Sequence, residues 1–258
     1  MPKIRLDVLL VERGLAETRS KAQAIIMAGQ ARVNGEMVDR AGAAFSSEVQ
    51  VSIDSGPRFV SRGGDKLLAA LNAFQVSPAG LICADVGAST GGFSDCLLQH
   101  GASRIYAIDV GKGILHWKLR SDPRIIVMEE TNARYIESLA EPVQLLVCDA
   151  SFISLKTLLP VFIHWLDGDA NVITLIKPQF EAGRVEVARG DGVIRDPLVH
   201  RRVLEDVLTF IQNQGLSVKG LIRSPLLGPK GNTEFLAWLD KTKTPADIPS
   251  LVEKAIGI

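Results

Sequence analysis

The sequence has few of the residues that build disulfide frameworks and metal sites. Its 258 residues include three cysteines and four histidines. Cys83, Cys96 and Cys148 lie within apolar stretches and show no CxxC spacing, and the histidines are scattered without the spacing of metal ligands. We therefore expect buried, reduced thiols in a cytoplasmic protein, and no metal ion.

Net charge and long apolar runs are also absent. Basic and acidic residues number 29 each, so the whole molecule is not an evident polyanion binder, although a local basic face can still be present. No apolar run approaches the roughly 18 residues of a membrane span. The first apolar run is broken by Asp7 and Glu12, which is not the pattern of a signal peptide. The composition is that of an ordinary globular protein.

Residues 1–58 predict a small α+β unit of two helices and a hairpin. The first helix is expected to end at Gly14, and the second to begin with Ser20 as its N-cap. Asn34 and Gly35, flanked by valines, predict a tight hairpin turn. A unit of this size is near the lower limit for an independent core.

A stretch of this unit resembles the S4 RNA-binding module almost residue for residue: RLDVLLVERGLAETRSKAQAIIMAGQARVNGEMV. The resemblance implies that basic residues and the hairpin contact RNA phosphates and shape. Arg184 and Arg189 lie in a polar, glycine-containing loop farther along the chain, which either closes over RNA or is an ordinary surface loop. The predicted RNA-binding residues are Lys3, Arg5, Arg19, Lys21, Arg32, Asn34, Arg62, Arg184 and Arg189.

A linker containing serine and glycine is predicted at residues 59–63, and strand and helix candidates alternate over residues 64–258. Such alternation indicates a Rossmann-like α/β fold with a mostly parallel, seven-stranded sheet. Helices are expected around 92–100, 113–120, 133–140, 154–165 and 197–214. The last two strand candidates, LSVKGLIRSP and NTEFLAWLDK, follow each other closely and predict a hairpin, hence one antiparallel strand.

A glycine-bearing turn between a strand and a helix, ADVGASTGGFSDCLLQHG, is the candidate cofactor site. Its G-x-x-x-G-G spacing differs from the G-x-G-x-x-G of dinucleotide sites. Asp85 precedes the first glycine, where it suits a ligand with a cationic amino-acid end. Asp109 ends the next strand and can accept hydrogen bonds from ribose hydroxyls. These features favour S-adenosylmethionine over a nicotinamide.

The predicted cofactor contacts extend beyond the two acids. Asn132, after the third strand, is expected either to bind the adenine or to cap a helix. The whole predicted set is Asp85, Gly87, Ser89, Thr90, Gly91, Gly92, Phe93, Asp109, Val110, Asn132 and Asp149.

Four charged residues are expected where ligands bind in open α/β sheets. Asp149 and Lys177 each end a strand, and Glu234 is predicted within the last strand, on the same face as Leu236. Lys66 opens a helix, where a cation opposes the helix dipole. Each alone is more simply a surface ion pair, but the four together indicate a catalytic group.

In type and order, this set matches the Lys-Asp-Lys-Glu tetrad of FtsJ-like RNA 2′-O-methyltransferases. With the S4-like unit, the whole chain resembles the TlyA (hemolysin A-like) family of ribosomal RNA methyltransferases. The segments that carry the match are VSRGGDKL, DVGASTGGFSDCLL, LLVCDASFISL, LIKPQFE and KGNTEFL.

The resemblance implies methyl transfer from S-adenosylmethionine to a ribose 2′-hydroxyl, with cytidines of 16S or 23S rRNA, or both, as targets. Lys177 is the candidate for the group that meets the hydroxyl, as base or oxyanion stabiliser. Lys66 would be the neighbouring cation that favours a neutral amine, and the carboxylates of Asp149 and Glu234 would orient the two lysines.

Two readings of other classes compete with methyl transfer. The family's hemolysin name suggests a membrane-active protein, against which stand the absent membrane span and secretion signal. A non-catalytic RNA-binding ribosome-assembly factor would use the S4-like unit alone, and would not need the cofactor. The expected partners are therefore ribosomal RNA or ribosomal subunits, without a membrane.

Overall fold

The computed structural model describes residues 3–54, 56–183, 186–187 and 190–257. The chain divides into two compact units, Met1–Arg58 and Phe59–Ile258. One buried apolar cluster forms the core of the first unit, and two form the core of the second.

In the first unit, two helices pack on a core of leucine, isoleucine, alanine and valine side chains. The helices are α1 (Leu6–Glu12) and α2 (Arg19–Met27). Strands β1 and β4 pair antiparallel, and β2 lies between β3 and β5 in a second antiparallel sheet. The strands are β1 (Lys3–Arg5), β2 (Ala31–Val33), β3 (Glu36–Met37), β4 (Ala44–Ser46) and β5 (Val51–Ile53).

The predicted hairpin turn of the first unit is confirmed. Asn34 and Gly35 have φ values of 51° and 87°, the two left-handed residues of a turn that matches the twist of β2 and β3. The predicted N-cap of α2 is wrong. Thr18, not Ser20, caps the helix, because its hydroxyl accepts a hydrogen bond of 3.2 Å from the amide of Lys21.

Within its described residues, the second unit holds a seven-stranded sheet in the order β11-β12-β10-β9-β6-β7-β8. β12 is antiparallel to both of its neighbours, and the pairs from β10 to β8 are parallel. The mostly parallel sheet with one antiparallel strand is thus confirmed. The strands are β6 (Ile82–Val86), β7 (Arg104–Ile108), β8 (Ile125–Met128), β9 (Val143–Cys148), β10 (Leu166–Ile176), β11 (Ser217–Arg223) and β12 (Phe235–Asp240).

Helices cover the sheet on both faces, as parallel strands require. Helices α6, α8 and α9 contribute to one apolar cluster, and α3, α4 and α5 contribute to the other. The helices are α3 (Gly63–Phe74), α4 (Gly92–Gln99), α5 (Trp117–Arg120), α6 (Leu155–Phe162), α7 (Pro178–Glu181), α8 (Pro197–Asn213) and α9 (Ile248–Ile256).

Two helix predictions are corrected by tertiary contacts. The helix expected at 113–120 is reduced to α5, because the carboxylate of Glu129 accepts hydrogen bonds from the amides of residues 113 to 115 and holds them as a loop. The helix expected at 133–140 is a single 3₁₀ turn, Ala133–Tyr135. Just beyond it, the indole of Trp165 donates to the carbonyl of Ile136 at 3.2 Å.

Helix α9 is not anticipated in the sequence analysis, although its signals are present. Asp247 caps it, and Gly257 follows its last residue in the left-handed conformation. Its apolar residues pack on the same cluster as α8.

The three thiols are buried, as the sequence predicts. Burial raises the pKa of Cys83 and of Cys148 to about 12, so neither is a reactive thiolate near neutral pH. Among the residues that the structure describes, no cluster of histidine, cysteine and acidic side chains could hold a metal ion. None of the described helices has the length and apolarity needed to cross a membrane.

The residues just after the first unit are part of the packed second unit. Phe59 is buried, and a Cβ placed on Gly64 would lie 2.2 Å from its ring. We predict that Gly64→Ala destabilises the protein by about 1–3 kcal/mol through overpacking. Helix propensity alone would favour alanine by up to about 1 kcal/mol.

Urea unfolding of the full chain measures this difference. Gly168→Ala is the matched control, since nothing lies within 4 Å of a Cβ at that position. A Gly64→Ala protein as stable as the parent would contradict the assigned packing of Phe59.

Candidate active site

The candidate site lies at the sheet edge where the carboxyl ends of β6, β9 and β10 meet. Asp149 directly follows β9, and Lys177 directly follows β10. Because β12 runs antiparallel to β10 with Ile176 opposite Phe235, Glu234 reaches the same edge from the other direction. Glu234 therefore immediately precedes its strand, which corrects the expectation that it lies within it.

Four charged side chains alternate in sign across this edge. The ammonium of Lys177 lies 2.6 Å from Asp149 Oδ1, and the ammonium of Lys66, in the first turn of α3, lies 2.6 Å from Glu234 Oε2. Lys66 Nζ is also 3.8 Å from Asp149 Oδ2, so Asp149 stands between the two lysines. The structure brings all four predicted residues into one chain of contacts with no net charge.

Burial makes these contacts obligatory. Glu234, Lys177 and Lys66 are only 1%, 6% and 9% exposed. An ion removed from water at such positions is tolerated only with a close partner of opposite charge. Glu234 Oε1 has no hydrogen-bond partner among the described residues, and a Cβ on Gly228 would lie 2.1 Å from it. Gly228 is the residue that leaves room for this carboxylate.

Lys177 has a further partner that the sequence analysis misses. Its ammonium donates to Ser151 Oγ at 2.8 Å and to the carbonyl of Asp149 at 3.4 Å. With Asp149 Oδ1, these acceptors account for the three N–H donors of a lysinium. Ser151 is exposed, so it is the solvent-facing contact of an otherwise buried amine. The only sequence signal for it is its place two residues after Asp149.

Phe152 is the second residue that the sequence analysis misses. Its φ is +64°, a conformation that is strained for a bulky residue, and it is 91% exposed. Its ring lies 5.1 Å from that of Phe180, which in turn lies 5.8 Å from the ammonium of Lys177. An exposed aromatic ring is thus held next to the charged group.

A cleft runs along the sheet edge on both sides of the glycine turn. One part is lined by residues of the turn together with Lys66 and Asp149. The adjoining part is lined by apolar and polar side chains near the ends of β7, β8 and β9, namely Val110, Ile114, Asn132, Phe152 and Asp109. Ser89, Thr90, Gly92 and Phe93 also line the cleft. Gly87 and Asp149 line both parts.

The glycines of the turn are required for a different reason from the one the sequence suggests. A Cβ on Gly87, whose φ is +80°, would lie 2.9 Å from the carbonyl oxygen of Asp149. A Cβ on Gly91 would lie 2.1 Å from Leu119, and one on Gly92 would lie 2.3 Å from Ser61 Oγ. The protein itself occupies the space that side chains would fill, and the turn thereby touches the loop that begins at Asp149.

The two acids predicted for the cofactor have different surroundings. Asp109 is partly exposed in the cleft and accepts hydrogen bonds from the amides of Ser89, at 2.8 Å, and Gly111, at 2.7 Å. Asp85 is fully buried and accepts a hydrogen bond of 2.7 Å from Ser94 Oγ. Its Oδ1 lacks a partner among the described residues. In this conformation Asp85 does not offer its carboxylate to a ligand in solution, so the expected direct contact is not seen.

Asn132 follows the second of its two predicted roles. Its side chain accepts from the amide of Arg134 at 3.0 Å and so caps the short 3₁₀ turn.

The predicted RNA-binding residues fall in both units. Arg5 and Arg19 both contact Asp7, Lys21 pairs with Glu17, and Arg32 pairs with Asp54. Asn34 Oδ1 accepts from the amide of Gln50 at 3.0 Å, and Lys3 is exposed. In the second unit, Arg62 is exposed and lines the cleft. Arg184 and Arg189 lie outside the described residues.

The burial of Asp85 makes a prediction about pH. Burial raises the pKa of its carboxyl to about 7 from an ordinary value of 3.8. Between about pH 4 and pH 7 the folded protein therefore binds more protons than the unfolded chain, and this group makes stability fall as pH rises. We expect Asp85→Asn to remove that loss, gaining up to about 3 kcal/mol relative to the parent between pH 4.5 and 7.5.

Urea unfolding at the two pH values measures the difference between variant and parent. Asp122→Asn is the control, because the contact with Arg124 lowers the pKa of Asp122 and no such rise is expected. A constant difference between Asp85→Asn and the parent at both pH values would show that Asp85 ionises normally.

Comparisons with known proteins agree with this architecture. Residues 59–241 match the family model of FtsJ-like methyltransferases, and residues 4–51 match the S4 domain. "Putative rRNA methyltransferase YqxC" of Bacillus subtilis is 47% identical over 245 residues, covering 92% of this chain and 85% of that protein. "16S/23S rRNA (cytidine-2′-O)-methyltransferase TlyA" of Mycobacterium tuberculosis is 42% identical over 263 residues, covering 99% and 98%.

A solved structure is similar over the entire chain. "Putative hemolysin from Streptococcus thermophilus" matches with a TM-score of 0.75 and 43% identity, covering 100% of this chain and 95% of that one. The family match spans more than half of the chain and includes the sheet, the glycine turn and all four charged residues of the site. The chain belongs to the FtsJ-like methyltransferases and, with its S4 domain, to the TlyA group among them.

Proposed function

We propose that this protein methylates the 2′-hydroxyl of a cytidine in ribosomal RNA, using S-adenosylmethionine. The observation that carries the proposal is the alternating chain of Lys177, Asp149, Lys66 and Glu234 beside the cleft at the sheet edge. Its residue types are those that a hydroxyl nucleophile needs: an amine to meet the hydroxyl, and carboxylates to hold that amine in place.

The cleft fits the methyl donor in the chemistry of its walls. Asp109 offers a carboxylate to a ribose diol, and Val110 and Ile114 offer apolar surface to an adenine. The turn at Gly87 presents backbone next to Asp149, where the methionine end would be held. S-adenosylmethionine, when bound, supplies an electrophilic methyl group, and its sulfonium carries the positive charge that this group needs as a leaving site.

Lys177 is the residue assigned to the ribose hydroxyl. It is almost fully buried and meets solvent chiefly through Ser151, so a hydroxyl that replaces the Ser151 contact would reach the amine directly. The amine would accept the proton that the hydroxyl loses as its oxygen becomes a nucleophile. Asp149 fixes the amine at 2.6 Å and compensates the charge that it then carries.

Lys66 and Glu234 act on this pair indirectly. Lys66 draws on the second oxygen of Asp149 and is itself neutralised by Glu234. Both are positioning residues in the proposal: they fix the carboxylate of Asp149 between two cations, and so fix the amine of Lys177. Phe152, exposed at the same edge, offers its ring to a nucleobase of the bound RNA.

The substrate class follows from the S4 domain and from the relatives. A domain that carries basic side chains on its surface suits the phosphate backbone of RNA. The relative from M. tuberculosis is named for cytidines of 16S and 23S rRNA, and we propose the same base here. Mapping ribose methylation by mass spectrometry in rRNA, with and without the gene, tests the proposal and assigns the subunit. Identical maps would refute it.

We predict that Lys177→Ala lowers the rate of methyl transfer to rRNA at least about 100-fold, because the hydroxyl loses its proton acceptor. Transfer of a radiolabelled methyl group to rRNA measures the rate. Calorimetry should show affinity for S-adenosylmethionine close to that of the parent, which separates a catalytic defect from a binding defect.

The matched control is Lys156→Ala, which removes a lysine of the same unit that pairs with Asp206 on the protein surface. Its rate should equal that of the parent. A Lys177→Ala protein that folds, binds the cofactor and methylates at the parental rate would overturn the role assigned to Lys177.

A further inference from the structure

A buried carboxylate in the first unit gathers two arginines and a glutamine. Asp7 is fully buried and accepts hydrogen bonds from both the Nε and an Nη of Arg5, each at 3.0 Å. Its Oδ2 also accepts from Arg19, at 3.0 Å, and from Gln23, at 2.8 Å. One side chain therefore satisfies donors from β1 and from two positions of α2.

The cluster is fixed by the backbone as well. Arg5 lies in β1, opposite Ala44 of β4, and the amide of Asp7 donates to the carbonyl of Ala41 at 3.3 Å. Arg19 is the first residue of α2, where a cation opposes the helix dipole and gains most from a nearby anion. Contact with Arg5 above all holds the pKa of Asp7 well below its usual range, so the carboxylate is charged under ordinary conditions.

The arginines face outward while the carboxylate does not. The side chains of Arg5 and Arg19 are 50% and 58% exposed, whereas that of Asp7 is 0% exposed. Both guanidinium groups hydrogen-bond to the same oxygen, so their bonded nitrogens lie no farther apart than twice 3.0 Å. Two cations are thus kept side by side at the surface, with one negative charge beneath them and several N–H donors free to bind other groups.

A phosphodiester group is the chemical match for this arrangement. It has one negative charge and two unshared oxygens, each able to accept from a planar guanidinium. We propose that Arg5 and Arg19 form a single phosphate-binding cradle for the RNA backbone, which Asp7 and Gln23 position without touching the RNA. The inference rests on the proposed RNA substrate and adds where and how one phosphate is held.

Replacing Asp7 by asparagine gives a test in which two explanations predict opposite signs. If the arginines act only as unplaced charges, removing a nearby negative charge strengthens RNA binding. If Asp7 positions them, Asp7→Asn weakens binding about tenfold, because each arginine loses its anchor. The slope of log affinity against log salt should then become shallower by about 0.7–0.9, the loss of one phosphate contact.

The experiment titrates the full-length protein with 16S and 23S rRNA transcripts across a salt series. Glu17→Gln is the matched control: it removes an equal charge from the same unit, at an exposed residue paired with Lys21, and should bind as tightly as the parent or more tightly. Asp7→Asn binding as tightly as the parent, or more tightly, overturns the cradle.

A second variant covers the case in which Asp7→Asn unfolds the first unit. Arg19→Lys keeps the charge but loses the planar fork, and should also weaken binding about tenfold. Parental affinity in Arg19→Lys overturns the proposal. Methyl transfer at saturating rRNA should keep its rate in both variants while the rRNA concentration for half-maximal rate rises. A parent protein that binds neither transcript refutes the proposed substrate along with the cradle, whereas a failure confined to the variants refutes the cradle alone.

Discussion

The candidate site depends on the pairing of β10 with β12, the one strand that runs against its neighbours in the described sheet. Parallel strands can bring only their carboxyl ends to this edge, which supplies Asp149 and Lys177. The reversed strand adds the residue that precedes it, so that Glu234 meets Lys66 across the sheet edge. A shift of this pairing by one residue would turn Glu234 to the other face and leave Lys66 without its closest partner.

Electrostatic balance explains how so many charges survive burial. Each cation touches an anion, and Asp149 touches two cations, so no ion is left to bear its desolvation cost alone. Removing one member strands a charge on its neighbour. The same arrangement makes geometry precise, because an ammonium with three acceptors around it has little freedom to move.

Part of this site was readable from the sequence. Asp149 and Lys177 each follow a strand candidate, and parallel strands end at a common edge, so their meeting was predictable. Where Glu234 would lie depended on strand register, which residue patterns leave open, and it was wrongly expected within the strand. Ser151 and Phe152 carried no local signal, because the contact of one and the left-handed backbone of the other arise only from tertiary packing. Glu129 overrode helix propensity from a distant part of the chain in the same way.

Phe152 shows that stability and exposure of an aromatic ring are in conflict at this edge. A bulky residue in the left-handed region costs about 1–3 kcal/mol, and glycine would adopt the same backbone without that cost. Selection for thermal robustness alone would therefore favour glycine at this position. A family sequence or engineered variant that has glycine there would have a more relaxed loop, but it would have given up the ring. The side chain at 152 is thus a marker of whether a relative has been optimised for endurance or has kept its aromatic surface.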